Sequence, residues 1–122
     1  ANRRKALCQS MAAIEAYENE LMAHLLDALC TLPSYTFFGI TDSGRLAERV
    51  PTLSFTHTRL RPQELAQRLD EAGIFAWHGN YYAQPVTEAL GIEPEGAVRI
   101  GLLHYNTREE VDRLAGVLRE LS

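Results

Sequence analysis

The sequence predicts an α+β fold: a small, mostly antiparallel sheet with helices packed on one face, entered by a long N-terminal connecting helix. Three observations carry this. Strand-sized runs with period-two alternation, such as Thr52-Leu53-Ser54-Phe55-Thr56, lie between segments of helical periodicity. Proline and glycine punctuate the chain at Pro33, Pro51, Gly73, Gly91 and Gly96. The resulting order is helix, strand, strand, helix, strand, short helix, strand, helix, which suits a two-layer sandwich. At 122 residues the chain is one domain. Residues 1–32 form the long helix and residues 33–122 the α+β body.

From Asn2 to Leu32 there is neither proline nor glycine. Leu7, Met11, Ile14, Leu21, Leu25 and Leu29 recur at helical spacing, with Met22 and Leu26 widening the stripe. Pro33 ends the segment. A helix of about 30 residues is roughly 45 Å long, whereas a globule of this size is about 35 Å across. It therefore breaks or overhangs. The chain starts at Ala1 inside the charged run Arg3-Arg4-Lys5, and the expectation is a piece of a larger protein, joined through this helix. A coiled-coil dimerisation helix is the alternative.

Tyr35-Thr36-Phe37-Phe38 reads as a strand and Thr41-Asp42-Ser43-Gly44 as a turn. The alternating strand from Thr52 follows Pro51. Pro62 suits the first position of a helix that turns Leu65 and Leu69 inward and stops at Gly73. Ile74-Phe75-Ala76-Trp77 is expected to be a buried strand. A short helix runs from Gln84 to its stop at Gly91, and a last strand from Ala97 to Leu103. Thr107-Arg108-Glu109-Glu110 then opens the final helix as a capping box.

Composition excludes several classes. A net charge of -4 argues against a nucleic-acid partner, whose binding face is basic. No apolar run approaches the roughly 20 residues of a membrane span, and the first residues lack the apolar core of a signal peptide. Cys8 and Cys30 lie 22 positions apart on one expected helix, too far to bridge. They are expected to be reduced, buried thiols of a cytoplasmic protein. His24, His57, His78 and His104 lack metal-ligand spacing, so no metal site is expected. No Ser-His-Asp order and no phosphate-cradling glycine motif is visible.

The candidate site is the stretch from Gly73 to Glu110. Strand alternation puts Val98, Ile100 and Leu102 on one face and Arg99 on the other, beside Ala97, Gly101 and Leu103. An arginine among such neighbours is expected to be partly desolvated and to need an anion. Its planar fork matches a carboxylate in two parallel hydrogen bonds, and Gly101 leaves room for a ligand. A structural ion pair with one of the 16 acidic residues satisfies the same need. The loop His78-Gly79-Asn80-Tyr81-Tyr82-Ala83-Gln84-Pro85 offers an imidazole, two amides and two phenols. It suits a polar ligand or a protein contact.

Together these residues carry a resemblance. Ala72-Gly73-Ile74-Phe75, Tyr81-Tyr82-Ala83-Gln84-Pro85, Val98-Arg99-Ile100-Gly101 and His104-Tyr105-Asn106-Thr107-x-x-Glu110-Val111-Asp112 are similar to the C-terminal small domain of class V aminotransferases, which use pyridoxal phosphate. The likeness is strongest to the cysteine-desulfurase-like branch. It runs from about Pro51 to the C-terminus and, more loosely, through the first helix.

The resemblance implies that Arg99 binds the α-carboxylate of an amino-acid substrate, with His78, Asn80, Tyr81, Tyr82 and Gln84 as further substrate-binding candidates. It implies pyridoxal phosphate held by a large domain outside this sequence, and a homodimeric parent enzyme. No catalytic and no cofactor-binding residue is assigned here, because the sole lysine is Lys5, in the opening charge run. This chain alone is expected to be inactive. Tyr82 stands where desulfurases place a nucleophilic cysteine before Ala-Gln-Pro, and a phenol cannot carry sulfur as a thiolate does. Transamination, elimination, epimerisation or a lyase reaction stay open. The alternative is a non-catalytic α+β binding or dimerisation module, with Arg99 in a structural ion pair.

Overall fold

In the computed structural model, which describes residues 2–122, helix α1 (Asn2–Leu29) leads into strand β1 (Tyr35–Phe38). A short 3-10 stretch, Ser43–Glu48, connects to β2 (Thr52–His57) and α2 (Pro62–Glu71). Then come β3 (Trp77–Gly79), α3 (Gln84–Ala89), β4 (Ala97–Gly101) and α4 (Arg108–Glu120). The sheet order is β1-β2-β4-β3 and every pairing is antiparallel.

Alternation decides which side of each strand is buried. Leu53 and Phe55 of β2, and Val98 and Ile100 of β4, face a core filled by Leu25, Leu26 and Leu29 of α1, Leu65 and Leu69 of α2, and Val111, Leu114 and Leu118 of α4. The Tyr35 phenol crosses the layer and donates to the Leu118 carbonyl at 2.7 Å. Helices α1, α2 and α4 cover this face, whereas α3 stands beside the opposite one.

The capping box is present as read: Thr107 accepts from the Glu110 amide and Glu110 accepts from the Thr107 amide. The bond from the Thr107 amide, with a further one from the Asn106 side chain, holds the Glu110 carboxyl below its usual range. Pro62 opens α2, and Gly73 ends it at φ +71°.

Four expectations need correction. First, Ile74-Phe75-Ala76-Trp77 is not a buried strand. Only Trp77 belongs to β3, and Phe75 is 91% and Trp77 70% exposed. This is a sheet edge, so only Ile74 and Ala76 reach the core. Second, Cys8 and Cys30 are both exposed rather than buried. Third, α1 ends at Leu29, short of Leu32, because a residue before proline is pushed out of the helical region. Fourth, β4 ends at Gly101 rather than Leu103, although the Leu102 amide still donates to the Pro51 carbonyl at 2.8 Å.

Helix α1 is continuous and overhangs. Its 28 residues span about 42 Å. Residues 2–13 are exposed, while Leu21 to Leu29 supply the core. Leu7 and Met11 therefore continue the buried stripe into solvent.

Candidate functional site

The face of the sheet turned away from α1, α2 and α4 builds the site. Register sets Phe38 opposite Ser54, Ser54 opposite Arg99, and Arg99 opposite Trp77. Residues paired across antiparallel strands point to the same side, so these four form one row across the sheet. Arg99 is exposed, not partly desolvated as expected, although Ala97 on the same face of β4 is buried. Among the described residues no carboxylate lies within 4.0 Å of it, so the structural ion pair is not seen either. Its guanidinium lies over the Tyr81 ring instead, 3.9 Å from the centroid.

The loop after β3 puts that ring there. Gly79 has φ +124°, and Tyr81 and Tyr82 follow at φ +57° and +59°. Two consecutive non-glycine residues in the left-handed region are held by surrounding bonds rather than by preference. Asn80 supplies two of these bonds. Its side-chain oxygen accepts from the Tyr82 amide at 3.2 Å, and its carbonyl accepts from the Ala83 amide at 2.8 Å. The Tyr81 hydroxyl points at the carbonyls of Trp77 (2.7 Å) and Ala97 (2.9 Å). Burial pushes this phenol up to about 12, outweighing the lowering effect of nearby Arg99.

Between the row and α3 lies a cavity of about 430 Å3, lined by Phe38, Ser54, Tyr81, Thr87, Leu90 and Arg99. Arg99 also lines an open groove with Thr52, Trp77 and Gly101. A guanidinium between two hollows, one largely apolar, can hold a small carboxylate whose remainder lies against the sheet.

Of the residues named from sequence, the structure brings together Arg99, Tyr81 and Asn80. Three do not join them. His78 is opposite Val98, a core-facing residue, and so lies on the other side of the sheet near Arg61 and Glu95. Gln84 donates to Glu88 along α3 at 2.8 Å. Tyr82 is fully exposed at the loop tip. Sequence reasoning missed Ser54, Phe38 and Trp77 as neighbours of Arg99. The alternation of residues 52–56 puts Ser54 on the non-core face, but nothing local sets its register.

The family profile described as Aminotransferase class-V matches residues 6–114. The chain belongs to the class V aminotransferases. Among relatives of this family, the aminotransferase-like protein FGM3 of Gibberella zeae is 37% identical over 109 residues, covering 87% of this chain and 27% of its own length. A cysteine desulfurase of Synechococcus elongatus is 33% identical over 111 residues, covering 91% of this chain and 17% of its own. Among solved structures, the apo cysteine desulfurase of Thermococcus onnurineus NA1 superposes with a TM-score of 0.83 at 30% identity, over 97% of this chain and 28% of that one. The likeness is thus to the cysteine-desulfurase-like branch. The chain spans less than a third of the length of each of these relatives.

Class V aminotransferases use pyridoxal phosphate, which needs a lysine for its aldehyde and a cradle for its phosphate. The residues of this chain do not fit that group. Lys5, the one lysine, lies on the exposed start of α1, in the charge run with Arg3 and Arg4. Among the described residues, this class V aminotransferase domain presents an exposed strand arginine on its outer sheet face.

Proposed function

We propose that this chain is the small domain of a longer, cytoplasmic, homodimeric pyridoxal-phosphate enzyme that acts on an amino acid. The cofactor and its lysine belong to the part of the protein outside this sequence. Here Arg99 receives the substrate α-carboxylate, and Tyr81, Asn80 and the outer sheet face form one wall of the site. The observation that carries this reading is a strand arginine whose only partner among the described residues is an aromatic face. Its in-plane N–H donors are left for an anion.

The chain's own residues have limited tasks in this reading. Arg99 fixes one end of the amino acid by charge and by paired hydrogen bonds. The sheet face and the Tyr81 loop exclude water from one side of it. The cofactor supplies the electron sink for the chemistry at the α-carbon. Tyr82, at the loop position that cysteine takes in desulfurases, cannot carry a sulfur atom, so the reaction is one that needs no thiol there. Transamination, elimination, epimerisation and lyase chemistry all satisfy that condition.

Substitution at Arg99 in the full-length enzyme tests the reading. Arg99→Ala is expected to cost about 2–5 kcal/mol, roughly thirty-fold to several-thousand-fold in kcat/KM, while cofactor absorbance stays unchanged. Arg99→Lys rescues little, because an ammonium cannot reproduce the fork. Amines lacking the carboxylate are expected to be nearly indifferent to the change. Equal loss for every substrate, with a lower melting temperature, would sink the clamp and favour a structural role.

A further inference from the structure

We propose that Tyr81 is a positioning residue: it holds the Arg99 guanidinium by its flat face and so presents the edge to an incoming carboxylate. The inference rests on the reading of Arg99 as the carboxylate clamp and adds the device that aims it. A guanidinium has two kinds of surface. Its face attracts the electron-rich face of an aromatic ring, and its edge carries the N–H donors. Stacking and bidentate hydrogen bonding therefore do not compete for the same atoms. A carboxylate partner inside the protein would occupy that edge. Tyr81 restrains the arginine without blocking it.

The restraint is itself anchored. The guanidinium carbon lies 3.9 Å from the Tyr81 centroid. At the far end of the ring, the hydroxyl lies within hydrogen-bonding distance of the Trp77 and Ala97 carbonyls. Trp77 is the residue opposite Arg99 on β3, and Ala97 is two residues before Arg99 on β4. The single phenol proton, shared between these two carbonyls, ties the ring to the strands beside Arg99. The hydroxyl is what separates this side chain from phenylalanine, which would stack but float. The left-handed backbone at Tyr81 serves the same end, since it turns the ring back beneath the strand while Tyr82 points into solvent. Tyr81 acts through Arg99 and needs no contact with substrate.

The test is a double-mutant cycle in the full-length enzyme. Each standard L-amino acid and its decarboxylated amine are assayed, and the best amino acid is carried forward. Tyr81→Leu is expected to lower kcat/KM about tenfold, chiefly through KM, and Tyr81→Phe about two- to fivefold. In an Arg99→Ala background both changes should shrink to less than about twofold. Amines should be unaffected throughout. If either Tyr81 variant costs the same with and without Arg99, the tyrosine is a structural plug; the positioning role falls and the clamp stands. If Arg99→Ala leaves discrimination between amino acids and amines unchanged, or no standard amino acid is turned over, both fall. Should Tyr81→Leu fail to fold, Tyr81→Phe, which keeps the ring, decides by the same comparison.

Discussion

Gly96 lies directly against Gly79: a β-carbon at Gly96 would sit 2.1 Å from the Gly79 carbonyl oxygen and 2.8 Å from the Asn80 amide nitrogen. Gly96 also holds φ +71°. Both the space and the backbone forbid a side chain there. Gly96→Ala is expected to cost about 2–4 kcal/mol, read as a lower urea midpoint. The Tyr81 loop begins at Gly79, so the variant should also weaken amino-acid binding. Wild-type stability in Gly96→Ala would contradict this close approach.

The phenols of Tyr35 and Tyr81 give an alkaline signature. Burial pushes both up to about 12, above the usual 10. A group whose folded value is raised contributes stability that is complete below its unfolded value and is lost as pH rises through the folded one. Stability should therefore fall between about pH 10 and 12. Tyrosinate absorbance should show a component near pH 12 that shrinks by half in Tyr81→Phe. An unchanged late component in that variant would place the Tyr81 ring in solvent.

Trp77 is the sole tryptophan and stands opposite Arg99. With 70% of its surface exposed, its emission in the isolated chain should be red-shifted and easily quenched by acrylamide. A blue-shifted, protected emission would restore the buried strand expected from sequence.

Leu7 and Met11, 56% and 62% exposed, extend the core stripe along α1. Exposed apolar stripes drive association. The isolated chain is expected to self-associate through this helix, and Leu7→Glu with Met11→Glu should shift sedimentation toward monomer. Wild-type chain that stays monomeric at high concentration would count against it.

Most elements were legible because their signals are local. Pro62, Gly73 and the Thr107–Glu110 box act within a few residues of themselves, and alternation told inside from outside on β2 and β4. The misses are non-local. An apolar run such as residues 74–77 looks buried unless one knows that it forms a sheet edge. Arg99 was singled out by its neighbours along the strand, yet its actual companions, Tyr81 and Ser54, arrive through a left-handed loop and a cross-strand register. No residue type in Asn80-Tyr81-Tyr82 demands that loop geometry. The two Asn80 bonds and the reach of the Tyr81 hydroxyl to Ala97 hold it together.

Helix α1 meets α4 and the turn before it across almost the whole chain: the Tyr17 hydroxyl donates to the carbonyl of Asn106 in that turn at 2.6 Å, and His24 pairs with Asp112 of α4 at 2.5 Å. During synthesis Leu21, Leu25 and Leu29 leave the ribosome well before Val111, Leu114 and Leu118, which close the core against them. At ordinary translation rates that delay is on the order of ten seconds. For that interval the apolar stripe of α1 lacks the helix that closes the core against it. The domain completes its fold only after α4 has emerged.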